Sequence, residues 1–191
     1  MTAIKKAEER IRHMALHDSL TGLPNRQLFR DRFLHDMNHA KRYGDMVGLL
    51  YIDLDRFKRI NDLHGHDAGD KALCETAARL LSCVREPDTV ARIGGDEFVV
   101  TLSELSAPEN AGFVAGRIIS ALAKPMVIDG DEHGVGASIG VSVYPTDSDN
   151  LDELLRMADK AMYEVKRRSG SGVLYHSGLT GPPPDGGPAD A

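Results

Sequence analysis

A chain of 191 residues, 41% hydrophobic and 27% charged, has room for one globular domain with its own core and short appendages. Its formal charge of −6 excludes a general nucleic-acid grip, which needs a basic face to release counterions. No apolar run approaches the ~20 residues that cross a bilayer, the N-terminal stretch lacks the apolar region of a secretion signal, and Cys74 and Cys83 read as reduced thiols of a cytoplasmic protein.

The chain opens with a charged helical stretch in which Ile4, Ala7, Ile11 and Met14 fall at a and d spacing. Two heptads are too short for a coiled coil alone, so residues 1–17 read either as a frayed surface helix or as the end of a longer dimerising helix. Gly22 and Pro24 break the pattern, and a helix follows with Asn25 as cap and Leu28, Phe29, Phe33 and Met37 on its inner face. "MVGLLYIDLD" is nearly continuous in apolar residues, a central strand buried on both faces that ends in Asp53 and Asp55. A short helical turn and a loop, "RFKRINDLHGHDAGD", lead to a helix with Leu73, Ala77, Leu80 and Val84 inward.

"TVARIGGDEFVVTL" reads as two strands joined at Gly94 and Gly95, the pair suited to positive φ at both central turn positions. A helix from about Ala107 to Ala123 comes next. The strand "GVGASIGVSVYP" is followed by a helix with Leu151, Leu154, Leu155, Ala158 and Met162 on its apolar face, then by the short strand "GVLYH". The Pro/Gly-rich residues 177–191 are expected to be disordered, leaving residues 18–176 as the domain. This order predicts an α+β fold in the βαββαβ style, one mostly antiparallel sheet covered by helices.

Asp96 and Glu97 directly after the hairpin turn are the first chemical signal. As an exposed tip they would be solvated acids. If the hairpin lies beside the central strand, they join Asp53, and clustered carboxylates repel strongly unless a divalent cation neutralises them. Hard oxygen ligands point to Mg²⁺ or Mn²⁺, and Mg²⁺ commonly works with substrate phosphates. Backbone N–H groups from Arg56 to Lys58 suit an anion. Lys58 and Lys166 taken singly are solvated charges, and Asn61 and Asp70 taken singly are cap or turn residues. His64 and His66 in "HGHD" are weak as metal ligands, with no cysteine partner.

"GGDEF" is the signature of the GGDEF family, the diguanylate cyclases. "DSLTGLPNR", "DLDRFKRIND", "GHDAGD", "ARIGGDEF", "SIGV" and "ADKAMYEVK" resemble its blocks in family order, over roughly Asp18 to Val173. The resemblance implies a ferredoxin-like palm that condenses two GTP into cyclic di-GMP and two pyrophosphates, each half of a homodimer holding one GTP. It makes Asp53, Asp96 and Glu97, with the Leu54 carbonyl, the ligands of two Mg²⁺ or Mn²⁺ ions. Glu97 alternatively helps to deprotonate the 3′-hydroxyl. It gives Asn61 and Asp70 the guanine, Lys58 and Lys166 the phosphates, and Phe57, Gly94 and Gly95 a share in nucleotide binding.

"REPD", Arg85 to Asp88, resembles the family's RxxD inhibitory site for cyclic di-GMP, with Arg117 as a second contact; alone, the pattern equally fits a solvent-facing loop. One departure stands out. The family's Gly-Arg-Asn trio after the late-helix lysine is replaced by Ser169, Gly170 and Ser171, which removes an arginine from the phosphate side. The leading expectation is an active cyclase domain of a longer sensor protein, the domain cytoplasmic and the full-length protein free to be membrane-attached. The alternative is a weak or inactive module that binds GTP or cyclic di-GMP.

Overall fold

The computed structural model describes residue 5, residues 13–168 and residues 170–178. Of the expected N-terminal helix, residues 13–16 are helical within the described part; Ile4, Ala7 and Ile11, and the tail beyond residue 178, lie outside it.

Helix α1 (Arg26–Tyr43) starts where predicted: Asn25 Oδ1 accepts from the N–H groups of Gln27 and Leu28 at 3.0 and 3.1 Å, a cap worth about 1 kcal/mol. Strand β1 (Met46–Asp55) occupies the middle of a five-stranded sheet. Helices α2 (Phe57–His64) and α3 (His66–Ser82) follow, then the hairpin β2 (Thr89–Gly94) and β3 (Glu97–Leu105). Next come α4 (Glu109–Ala123), a small arm of β4 (Met126–Ile128) and β5 (Asp131–His133), strand β6 (Gly136–Tyr144), α5 (Leu151–Arg168) and β7 (Gly172–Tyr175). The sheet order is β2-β3-β1-β6-β7, antiparallel except for β6 with β7, and β1-α3-β2-β3-α4-β6 forms the βαββαβ core.

The apolar run of β1 is explained by helices on both sheet faces. Leu50, Ile52 and Leu54 pack into the core shared with α3 and α4, while Val47, Leu49 and Tyr51 pack with α1 and α5. Strand alternation therefore assigns Asp53 to the α5 face. Gly140 on β6 lets α5 lie against the sheet, since a Cβ there would stand 1.8 Å from the Ala158 carbonyl oxygen.

Three local expectations change. The predicted loop after α2 is a single residue, Gly65, with φ 86°, and α3 already begins at His66. The β4–β5 arm was not expected, although Asp129 and Gly130, with φ 54° and 92°, form the Asp-Gly turn that marks a hairpin. In the β2–β3 hairpin, Gly94 pairs with Glu97, so the two turn residues are Gly95 and Asp96 rather than the two glycines.

Candidate active site

The register of three antiparallel strands assembles the site. Asp53 pairs with Glu97 across β1 and β3 and with Ser138 across β1 and β6. Asp96 sits in the turn, its carbonyl accepting from Leu54 N–H at 3.3 Å, which fastens the hairpin tip to the end of β1. Gly94 and Gly95 take positive φ of 155° and 50°, and a Cβ at either would meet no protein atom within 4 Å. Conformation, not packing within the chain, requires glycine there.

Asp53 is 8% exposed, and Lys166 Nζ on α5 stands 2.5 Å from its Oδ1. That contact is an ion pair without hydrogen-bond geometry; Oδ1 is shielded from solvent and has no hydrogen-bond partner. Burial pushes the Asp53 carboxyl up to about 6; Lys166 opposes the rise, and the charges of Asp96 and Glu97 add to it. Glu97 is also raised, by burial first and then by the charges of Asp159 and Asp96, against Tyr51 and Arg26. Three carboxylates drawn to one sheet edge, with Lys166 against Asp53, form a hard-oxygen set that fits a divalent cation, with Asp53, Asp96, Glu97 and the Leu54 carbonyl as available oxygens.

Beside the carboxylates, Lys166, Arg56, Gly136 and Ser171 border a cavity of about 520 Å³. Asp55 shapes its floor, accepting from Ser138 Oγ at 2.8 Å and from Ser171 N–H at 2.7 Å. The departure from the family trio therefore folds back onto Asp55; Ser169 lies outside the described residues. Arg56 adopts φ 63°, a left-handed turn that reverses the chain straight into α2. The first N–H groups of a helix lack intrahelical partners, and here they lie next to exposed Lys58. The Phe57 side chain packs in the core, so only its backbone remains on the site's side of the helix.

Asn61 and Asp70 come from different helices joined by Gly65. Asn61 lies against Gly69, where an added Cβ would be 1.9 Å from its Oδ1, and Asp70 is the next residue and exposed. The structure thus sets the Asn61 side chain against the residue that precedes Asp70. It places Arg85, Asp88 and Arg117 elsewhere, beyond the far end of β2. Asp88, its side chain 1% exposed, accepts from the N–H groups of Arg85 and Ser103 at 2.9 and 3.1 Å. Arg85 Nη2 donates to the Ser103 carbonyl and Arg117 Nη2 to the Cys83 carbonyl, both at 2.8 Å.

Residues 15–171 match the family described as diguanylate cyclase, GGDEF domain. The chain belongs to this family. The GGDEF domain is similar to diguanylate cyclase TpbB of Pseudomonas aeruginosa, 42% identical over 158 residues, covering 82% of this chain and 36% of TpbB. It is also similar to the bifunctional diguanylate cyclase/cyclic di-GMP phosphodiesterase MucR of Pseudomonas aeruginosa, 40% identical over 174 residues, covering 91% of this chain and 25% of MucR. The solved GGDEF domain of TpbB superposes with a TM-score of 0.82 at 40% identity, covering 84% of this chain and 94% of that one. The GGDEF domain therefore spans about a third or less of these curated relatives.

Residue-by-residue reading missed the supports of this GGDEF domain. Arg92 Nη1 donates to both Asp18 carboxylate oxygens, and its Nε donates to the Gly95 carbonyl. Tyr51 and Asp159 face Glu97 from β1 and α5. Asp55 was noted only as the strand's end, though its two-residue spacing from Asp53 already placed it on the same sheet face.

Proposed function

We propose that this domain condenses two GTP molecules into cyclic di-GMP, releasing two pyrophosphates, within a homodimer in which each protomer holds one GTP. The observation that carries the reading is the collection of Asp53, Asp96 and Glu97 on one rigid sheet edge, with Lys166 paired to the buried Asp53 carboxylate. Asp53, Asp96, Glu97 and the Leu54 carbonyl would hold two Mg²⁺ or Mn²⁺ ions, which when bound would lower the pKa of the attacking 3′-hydroxyl and neutralise phosphate charge.

Glu97, paired across the strands with Asp53, either completes the metal set or takes up the 3′-hydroxyl proton as that oxygen bonds to the α-phosphorus of the partner's nucleotide and pyrophosphate leaves. Lys166, now paired with Asp53, would be free for the phosphates once cations balance the acids. Lys58 and the backbone of Phe57 bind the same phosphates, and the open space beside Gly94 and Gly95 admits the nucleotide. Asp70 accepts from the N–H donors of guanine, which adenine leaves unpaired, while Asn61 completes the edge. Cyclic di-GMP binds back at Arg85 and Asp88, with Arg117 nearby, and holds two domains apart. Because the Asp88 carboxylate already caps its own turn, Arg85 supplies most of that grip.

An upstream sensor in a longer protein sets the dimer geometry through the N-terminal segment. No helix among the described residues is long and apolar enough to cross a membrane, in keeping with a cytoplasmic domain. A second reading, a GTP- or cyclic di-GMP-binding module without synthesis, is favoured by the Gly170–Ser171 segment, which brings no arginine to the phosphate cavity.

The deciding experiment incubates concentrated protein, stripped of nucleotide, with GTP and Mg²⁺ and identifies products by mass. Cyclic di-GMP from the parent and none from Asp96→Ala supports the cyclase. No product even with dimerisation enforced by a fused coiled coil overturns it in favour of the binding module.

A further inference from the structure

Away from the carboxylate edge, three residues from two elements converge. His64 ends α2, and Asp131 and His133 lie on β5, where two-residue spacing puts them on one side of the strand. One potential ligand atom from each lies within 4.8 Å of the other two. The rings of His64 and His133 meet edge to face with centroids 4.5 Å apart. His133 Nε2 is shielded from solvent yet has no hydrogen-bond partner, a cost that a buried ring nitrogen ordinarily avoids. His64 and His133 border a cavity of about 270 Å³.

We propose that His64, His133 and Asp131 form a zinc-type metal site, separate from the carboxylate edge and independent of the cyclase reading. Two imidazoles and one carboxylate are ligands for Zn²⁺ or a similar transition metal, whereas Mg²⁺ favours an all-oxygen set. In a filled tetrahedral site, Zn–N distances of about 2.0–2.1 Å bring ligand atoms roughly 3.4 Å apart, so binding draws the three groups in by about an ångström. Water takes the fourth position. Arg56 and Arg59 line the same cavity and weaken the site, partly offset by Glu132.

The ion would bind α2 to the arm where the His64 and His133 rings already meet. His64 belongs to the helix that carries Lys58 and Asn61. The arm is fastened to α3 on its other side through the ion pair of Lys71 with Asp129. A filled site thereby ties α2, the arm and α3 into one unit. The "HGHD" sequence contributes only its first histidine; the second ligand lies 69 positions further along the chain, out of reach of sequence spacing.

The test titrates Zn²⁺ alone, against a chromophoric chelator, into the full chain without nucleotide. The parent is expected to hold one equivalent that His64→Ala and His133→Ala each weaken at least tenfold, and that His66→Ala, outside the cluster, leaves unchanged. Excess Mg²⁺ should not displace it, and Co²⁺ in its place should give the visible absorption of a four-coordinate ion. Circular dichroism melts in chelator verify that each variant is folded. Identical isotherms for parent, His64→Ala and His133→Ala overturn the site, as does competition by Mg²⁺, which would assign the ion to the carboxylate edge.

Discussion

Arg92 and Asp18 are joined by two contacts of 3.1 Å, and the same guanidinium holds the Gly95 carbonyl at 2.9 Å. One arginine thus ties the turn that precedes α1 to the hairpin tip carrying Asp96. Side-chain exposures of 14% and 21% make the pair largely shielded.

Burial pushes the Asp18 carboxyl up, but bonds from Thr21 and Arg92 outweigh it and hold the group below the usual range. Its stabilising effect is therefore present above a pH of about 4 and is lost as pH falls through the lower folded value. Asp18→Asn should cost about 2 kcal/mol in urea unfolding at pH 7, between surface and fully buried pairs. It should also flatten the acid limb of the stability profile. An unchanged limb would show that the pair does not control acid stability.

Asp53 carries the opposite sign. Its carboxyl is raised to about 6, so the apo protein is favoured below the unfolded value of 3.8 and loses that contribution as pH rises through about 6. Asp53→Asn should raise the melting temperature of the metal-free protein at pH 7. Mg²⁺ should stabilise the parent more at pH 7.5 than at pH 5, where the proton competes, and should not stabilise the variant. Melting curves at the two pH values, with and without Mg²⁺, measure both effects.

Gly140→Ala is expected to be severe. The new methyl would meet backbone atoms, the Ala158 carbonyl oxygen at 1.8 Å and the Met162 nitrogen at 2.4 Å, so α5 must lift from the sheet. We expect a loss of about 3 kcal/mol in unfolding experiments, at the upper end for overpacking. A lifted helix also withdraws Lys166 from the carboxylates. A variant as stable as the parent would mean that α5 shifts at little cost.

Gly69→Ala should behave differently, because the first atom met is the movable end of Asn61. Stability should change by less than about 1 kcal/mol, while GTP affinity falls about tenfold, the cost of one displaced hydrogen-bonding group. Calorimetric GTP titration of Gly69→Ala beside Asn61→Ala checks this. Equal affinity in parent and both variants would remove Asn61 from the guanine site.

Much of this arrangement was legible because its signals are local. The apolar run ending in Asp53 announced a strand covered on both faces. Asn25 was recognisable as a cap from its position alone. What escaped depended on tertiary contact. Gly65 looked like part of a longer loop because the helical character of "HDAGD" shows only once Ala68 and Ala72 pack inward. The arm was overlooked because three-residue strands carry almost no periodicity, leaving only its Asp-Gly turn as a clue. Nothing local in the sequence marks Arg92, since its partner Asp18 stands 74 positions earlier.

The pairing of Asp53 with Glu97 and Ser138 has a consequence for how the chain tolerates change in length. Side chains on a strand alternate in facing, so the carboxylate edge exists only for one parity of each register. Adding or deleting a single residue within β1 or β3 would turn an acid toward α3 and α4 and bring a core residue to the nucleotide side. The β4–β5 arm pairs only with itself, outside the five-stranded sheet. Length variation at the Asp129–Gly130 turn therefore leaves that parity intact, making it the place where this domain can lengthen without losing its acids.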